Sequence, residues 1–306
     1  MRIVFMGTPP FAVPSLRALA AEHEVVGVFT RPDAIRGRGR VPVASAVKLE
    51  ALAMGLHIFE PASLRHSGAL DQLEALGPDI VAVAAYGLIL PPAVLAVALN
   101  GALNVHASLL PRWRGAAPIA RAILEGDDTT GVAIMRMEEG LDTGPWAVAS
   151  EVPVDGLYLE ELTILLAEAG AHALLEALRR VEAGTVSWHG QDDREATFAA
   201  KVTAGDVALG PGISAIQAWR RVRASSDSAP SIAFVGDTRV RVLAARPAEE
   251  YPGPGRILAT KRALIVGTAD GGLLLERIVP EGRGAMEGCA WARGAHLDDH
   301  ARWSAP

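Results

Sequence analysis

Arg2-Ile3-Val4-Phe5-Met6-Gly7-Thr8-Pro9-Pro10, then Phe11 to Ala21, then Glu24-Val25-Val26-Gly27-Val28-Phe29, is the stretch whose reading decides the fold. The first run is apolar and stops at a turn. Phe11, Leu16 and Leu19 recur on one side of a helix. The valines of the second run favour a strand. Strand, turn, helix and strand together open a doubly wound, mostly parallel α/β sheet. A dinucleotide site at the first turn is disfavoured. The G-x-G-x-x-G pattern is missing, and Pro9 and Pro10 remove two backbone donors that a pyrophosphate would use.

Working outward, the pattern continues. Ala44 to Met54 and Leu64 to Leu76 read as helices, with a short strand at Leu56 to Phe59 between them. Ile80 to Ala85 is a continuous apolar run, which predicts a central parallel strand buried on both faces. It ends at Tyr86-Gly87, and Leu88-Ile89-Leu90 then reads either as the lining of an apolar pocket for a flat ring or, by default, as core. Ala102 to Val105 is a further strand, followed by a helix from Ala116 to Glu125. Strands at Thr130–Met137 and Trp146–Val154 and a long amphipathic helix from Leu159 to Ala183 close the unit. The polar stretch after Thr185 reads as a linker. Beyond it come a helix from Ile213 to Val222 and five short strand candidates separated by turns such as Asp270-Gly271-Gly272. That spacing predicts a small OB-like barrel. The expected organisation is a catalytic domain at 1–184, a linker at 185–205 and a barrel domain at 206–306.

Composition narrows the function. The 306 residues include one cysteine, Cys289, so an intrachain disulfide and a cysteine-rich zinc site are excluded and a reducing, cytoplasmic setting is expected. No apolar run is long enough to span a bilayer. The eight histidines show no metal-ligating spacing, so no metal is expected. A P-loop, a G-x-S-x-G elbow and a reactive-cysteine context are all missing. The net charge of −6 is uneven: residues 206–306 carry 13 Lys+Arg against 11 Asp+Glu. The C-terminal third is therefore the part better suited to a polyanion, although on charge alone so small an excess over about a hundred residues reads more readily as carrying no function. Thr30 to Pro42 holds Arg31, Arg36, Arg38 and Arg40, with Gly37 and Gly39 between them. It reads either as a basic loop that closes on nucleic acid or as an ordinary solvated loop.

The chemistry points to Asn104-Val105-His106. An amide and an imidazole two residues apart on a strand face the same way. They stand at the strand's carboxyl end, where open α/β sheets bind ligands. Glu138-Glu139-Gly140-Leu141-Asp142-Thr143-Gly144 is a tight polar turn whose carboxylate can be held by backbone. From the residues alone, His106 is either a catalytic group or a histidine bonded to nearby backbone.

Several motifs carry a resemblance. Asn104-Val105-His106-Ala107-Ser108-Leu109-Leu110-Pro111-Arg112-Trp113-Arg114-Gly115 with Ala116-Ala117-Pro118, Gly7-Thr8-Pro9, Ala85-Tyr86-Gly87-Leu88-Ile89-Leu90-Pro91 and Gly140-Leu141-Asp142-Thr143-Gly144 fall in order along the first 145 residues. They resemble the signature of the folate-dependent formyltransferase superfamily. The Arg-Trp-Arg-Gly continuation and the Gly-Leu-Asp-Thr-Gly turn are similar to those of the methionyl-tRNA formyltransferase family within it. The resemblance implies formyl transfer from 10-formyltetrahydrofolate to the α-amino group of methionyl initiator tRNA. It implies Asn104, His106 and Asp142 as catalytic residues. It places the folate against Ser108, Leu109, Leu110 and Pro111, with Tyr86, Gly87, Leu88 and Leu90 walling the pterin. It gives Arg36, Arg38, Arg40 and Lys201 to the tRNA, and the protein is expected to act as a monomer. Val207 to Pro211 and Ser225 to Pro230 depart from the family pattern. The alternatives are a formyltransferase acting on an amino sugar nucleotide or glycinamide ribonucleotide, and a non-catalytic tRNA- or folate-binding protein.

Overall fold

The computed structural model describes residues 1–35, 41–65, 67–295, 297 and 300–306. The chain forms two compact units. The first comprises Met1–Pro118, Thr129–Pro153 and Leu162–Ala199; the second comprises Ile119–Asp128, Val154–Glu161 and Ala200–Pro306. The stretch expected as a linker is thus divided, with residues 185–199 in the first unit and 200–205 in the second.

In chain order the first unit contains β1 (Arg2–Gly7), α1 (Val13–Glu22), β2 (Glu24–Phe29), β3 (Ala34–Ile35), β4 (Pro42–Val43), α2 (Ala46–Ala53), β5 (Ile58–Phe59), α3 (Ser67–Ala75), β6 (Ile80–Ala84), α4 (Pro92–Leu95) and β7 (Ala102–His106). Then follow β8 (Arg114–Gly115), α5 (Pro118–Glu125), β9 (Thr129–Arg136), β10 (Trp146–Pro153), α6 (Leu159–Glu182) and β11 (Phe198–Ala199). Most of α5 and the start of α6 fall within the second unit's residues. Seven strands make one sheet in the order β10-β9-β7-β6-β1-β2-β5. The pairs from β5 to β7 are parallel, and β9 and β10 add antiparallel. The pattern follows burial. β6 lies inside the sheet and all five of its residues are buried, whereas β10 at the edge alternates.

Two details place the site. Gly7 ends β1, and a Cβ there would lie 2.8 Å from both Ala12 Cβ and Phe5 Cε1, so the strand can meet the first helical turn only as glycine. On α6, Gly170 lets the helix approach the sheet, since a Cβ would lie 2.6 Å from Val105 Cγ1. Val105 is the residue between Asn104 and His106. The helix carries Glu160 and Glu161 in its first turn and Arg179 and Arg180 in its last, matching the helix dipole.

Some expected boundaries moved for identifiable reasons. The helix predicted from Ala116 begins at Pro118. Ala116 and Ala117 both donate to the Ala199 carbonyl, and β8 pairs in parallel with β11, which keeps the chain extended there. Proline then suits the first helical position.

The second unit adds α7 (Ala215–Arg223), β12 (Ile232–Val235), β13 (Thr238–Ala248), β14 (Ile257–Ala259), β15 (Leu264–Gly267), β16 (Gly272–Pro280), β17 (Met286–Glu287), α8 (Gly288–Ala292) and β18 (Trp303–Ser304). The sheet runs β14-β15-β16-β13-β12-β18, with β17 on β16. A bridge between Arg256 and Arg302, beside the two end strands, nearly closes it into an antiparallel barrel. The five expected strands are present. β17 and β18, of two residues each, carry too short a pattern to read from sequence. Ser214 and Gln217 cap α7 reciprocally. The barrel core holds Val240, Val242, Leu273, Ile278, Trp291 and Trp303, with Tyr158 packed against it.

Candidate active site

β7 delivers Asn104 and His106 to the carboxyl end of the parallel strands. On β7, which lies between β6 and β9, Asn104 pairs with Val83 on one side and Met135 on the other, and His106 pairs with Ala133 of β9. His106 is buried, and Asn104 is partly exposed. Among the described residues, the Asn104 amide has no hydrogen-bond partner, which leaves both its N–H groups for a ligand.

The imidazole is fixed from its far side. His106 Nε2 lies 2.9 Å from the Trp113 carbonyl oxygen. A carbonyl only accepts, so Nε2 carries the hydrogen and donates it. The other ring nitrogen, Nδ1, lies 3.7 Å from Asp142 Oδ2, an ion-pair distance rather than a hydrogen bond. Two residues that are 36 apart in sequence therefore meet. The carboxylate is itself placed by backbone: Oδ2 accepts from the Gly115 N–H at 2.9 Å.

The loop after β7 is tightly built. Ser108 is buried, and its hydroxyl donates to the Arg112 carbonyl at 2.5 Å. Trp113 has φ +64, in the left-handed region, and its N–H donates to Thr197 Oγ1 at 2.9 Å. That backbone turn aims the Trp113 carbonyl at His106. Leu110 is buried, Leu109 and Pro111 are partly exposed, and a Cβ on Gly131 of β9 would lie 2.6 Å from Leu109 Cδ2.

The turn after β6 forms a second wall. Ala85 and Gly87 both have positive φ, at +46 and +84. The Tyr86 carbonyl accepts from Thr8 Oγ1 at 2.8 Å and the Gly87 carbonyl from Arg31 Nη1 at 3.0 Å. Tyr86 and Leu90 belong to an apolar core cluster with Leu88 packed against it. Burial pushes the Tyr86 hydroxyl up to about 12, so it stays neutral at physiological pH. Gly87 is exposed, and Ile89 is 80% exposed beside it.

Arg36, Arg38 and Arg40 lie outside the described residues; β3 and β4 on either side of them pair antiparallel. Lys201 is exposed, within the second unit. Among the described residues no three His, Cys, Asp or Glu side chains gather where a metal could bind, and no helix is long and apolar enough to cross a membrane.

Sequence reasoning missed Trp113 and Gln191. Gln191 Nε2 donates to the carbonyls of Asp142 and Gly144, at 2.8 and 2.7 Å. Its Oε1 accepts from Arg114 Nε at 2.9 Å. Nothing in a polar stretch read as linker marks such a residue.

Comparison with known proteins gives first the class: residues 1–178 match the formyl transferase family and residues 213–296 its C-terminal domain. The chain is 45% identical over 291 residues to a methionyl-tRNA formyltransferase of Stenotrophomonas maltophilia (strain K279a), covering 94% of this chain and 95% of that one. It is 41% identical over 309 residues to that of Methylobacterium sp. (strain 4-46), covering 99% of each. It therefore belongs to the methionyl-tRNA formyltransferase family. Among solved structures, HypX from Aquifex aeolicus in complex with tetrahydrofolic acid aligns with a TM-score of 0.66 at 20% identity, over 96% of this chain and 47% of the longer HypX. WlaRD, a sugar 3N-formyl transferase, aligns at 0.68 and 16% identity, over 93% and 99%. These two share the fold.

Proposed function

We propose that the chain transfers the formyl group of 10-formyltetrahydrofolate to the α-amino group of methionyl initiator tRNA, the step that prepares this tRNA for translation initiation. The observation that carries the reading is kinship to methionyl-tRNA formyltransferases along nearly the whole chain, both units included. The folate cosubstrate supplies an electrophilic formyl carbon. The exposed Gly87 and Ile89, the partly exposed Leu109 and Pro111, and the Asn104 amide, unpartnered among the described residues, suit a flat, polar-edged ring. Ser108, Leu110, Tyr86, Leu88 and Leu90 shape that wall from the core side.

Asn104, His106 and Asp142 do the chemistry. As the amine attacks, negative charge grows on the formyl oxygen. Asn104 donates an amide hydrogen to it, a contribution of roughly 3–4 kcal/mol for a donor of this kind. The second donor is protonated His106. Its Nε2–H is committed to the Trp113 carbonyl, so the proton it offers is on Nδ1. Asp142 faces that atom and takes up the proton lost by the amine, directly or through water. The tetrahedral adduct then collapses: the bond from the formyl carbon to N10 of the folate breaks, N10 takes up the proton that left the amine, and tetrahydrofolate departs, with no covalent enzyme intermediate.

The tRNA is held by Arg36, Arg38 and Arg40 together with Lys201 and the C-terminal barrel at 206–306. The catalytic domain is 1–184, joined by 185–205, and the protein works as a cytoplasmic monomer. The test is formylation of methionyl initiator tRNA, run beside an amino sugar nucleotide as acceptor. Transfer to the tRNA is expected. Transfer to the sugar alone would overturn the reading.

A further inference from the structure

The Asp142 turn is not held by apolar packing. Glu138, Glu139, Gly140, Leu141 and Thr143 are all exposed, and Leu141 is 64% exposed. Asp142 nevertheless keeps φ +53, a conformation that a side chain bearing a Cβ disfavours. Something polar must fix it. Gln191 donates both Nε2 hydrogens to this turn, one to the Asp142 carbonyl and one to the Gly144 carbonyl. Its Oε1 accepts from Arg114, whose guanidinium is buried and also pairs with Asp193 at 2.8 Å. These partners determine the amide's orientation, because carbonyls only accept and a guanidinium only donates.

The two ends of this bridge are the two arms of the site. Residues 113–115 supply the Trp113 carbonyl to His106 and the Gly115 N–H to the Asp142 carboxylate. Residues 142–144 supply the carboxylate itself. We propose that Gln191 is a positioning residue that sets the Asp142 carboxylate against His106 Nδ1 by tying the 142–144 turn to the 113–115 loop. The inference rests on the catalytic reading of Asp142. Glutamine is required by this geometry: a carboxylate would set an oxygen against two carbonyl oxygens, and an apolar side chain would leave those carbonyls and Arg114 unpaired.

The test uses the full chain with Gln191→Met, Gln191→Glu, Asp142→Asn and the double variant Gln191→Met/Asp142→Asn. kcat, KM for both substrates, single-turnover rate and melting temperature are measured. Gln191→Met is expected to lower kcat about 10- to 100-fold, the scale of an ångström-sized misplacement, with both KM values within about twofold of wild type. Gln191→Glu, which keeps the size and reverses the polarity, should lose at least as much. In single turnover the double variant should match Asp142→Asn within about twofold, since Gln191 acts through Asp142. Wild-type kcat in both Gln191 variants, beside an inactive Asp142→Asn, would overturn the positioning role alone. A double variant slower than Asp142→Asn by the full Gln191→Met factor would also overturn it and leave a merely structural role. If Asp142→Asn turns over like wild type, the reading of the site fails and the proposal falls with it.

Discussion

The ring of His106 is oriented by a backbone carbonyl, and that carbonyl is aimed by a tryptophan in left-handed conformation. Asn104 and His106 could be read from the sequence because a strand's period of two is strict and its carboxyl end is a known place for ligands. Asp142 could be proposed only through resemblance, since nothing local says that residues 36 apart meet. Trp113 and Gln191 could not be read at all. The first acts through its carbonyl, which every residue has, and the second through a contact that forms only when 191 folds back onto 142. Three substitutions test this scale. Asn104→Ala should cost about 10²–10³ in kcat. His106→Ala and Asp142→Asn should each cost at least about 10². In all three, folate binding measured by equilibrium fluorescence or calorimetry should stay close to wild type. A matching loss of folate affinity would instead make these residues binding groups.

At the scale of elements, the turn that carries Asp142 is set by glycine as much as by glutamine. A Cβ on Gly144 would lie 1.9 Å from the Arg136 carbonyl oxygen, and a backbone atom cannot step aside as a flexible side chain would. Gly144→Ala should therefore displace the turn and lower kcat, with the barrel unaffected by near-UV spectroscopy. Unchanged kcat would show that the turn adapts. A second element test concerns Asp206. Its carboxyl accepts from the Thr203 hydroxyl and N–H, at 2.7 and 2.8 Å, and pairs with Arg121 at 3.1 Å. These bonds, Thr203's first, hold it near 2 rather than the ordinary 3.8. The depressed value means the stabilisation is present above pH 3.8 and is lost as pH falls toward 2. Asp206→Asn should lower stability at pH 7 by about 1–2 kcal/mol. The gap to wild type should shrink below pH 4, followed as melting temperature against pH. A gap constant over that range would contradict the assignment. The strands and helices of the parallel sheet were legible because their apolar runs are long. The β8–β11 pairing was not, since two residues on each side carry no periodicity.

At the scale of the molecule, the sequence suggests a linear order of catalytic domain, linker and barrel. The two compact units are not each one continuous stretch of chain, because short segments at 119–128 and 154–161 group with the C-terminal residues. Tyr158 shows why composition could not reveal this. It lies between two elements of the sheet unit, yet its hydroxyl accepts from the Ala245 N–H and donates to the Ala245 carbonyl on β13. A polyanionic substrate also makes predictions at this scale. Arg38→Ala should raise KM for tRNA several-fold and leave folate binding unchanged, and tRNA affinity should fall steeply with salt. An unchanged KM for tRNA would remove Arg38 from that role. The central claim, that Asn104, His106 and Asp142 carry formyl transfer to a tRNA-borne amine, is tested most directly by one assay. It is single-turnover formylation of methionyl initiator tRNA with 10-formyltetrahydrofolate, by wild type and by Asp142→Asn. Efficient transfer by wild type and a loss of at least about 10² in the variant are predicted. Equal rates for the two proteins would contradict the account.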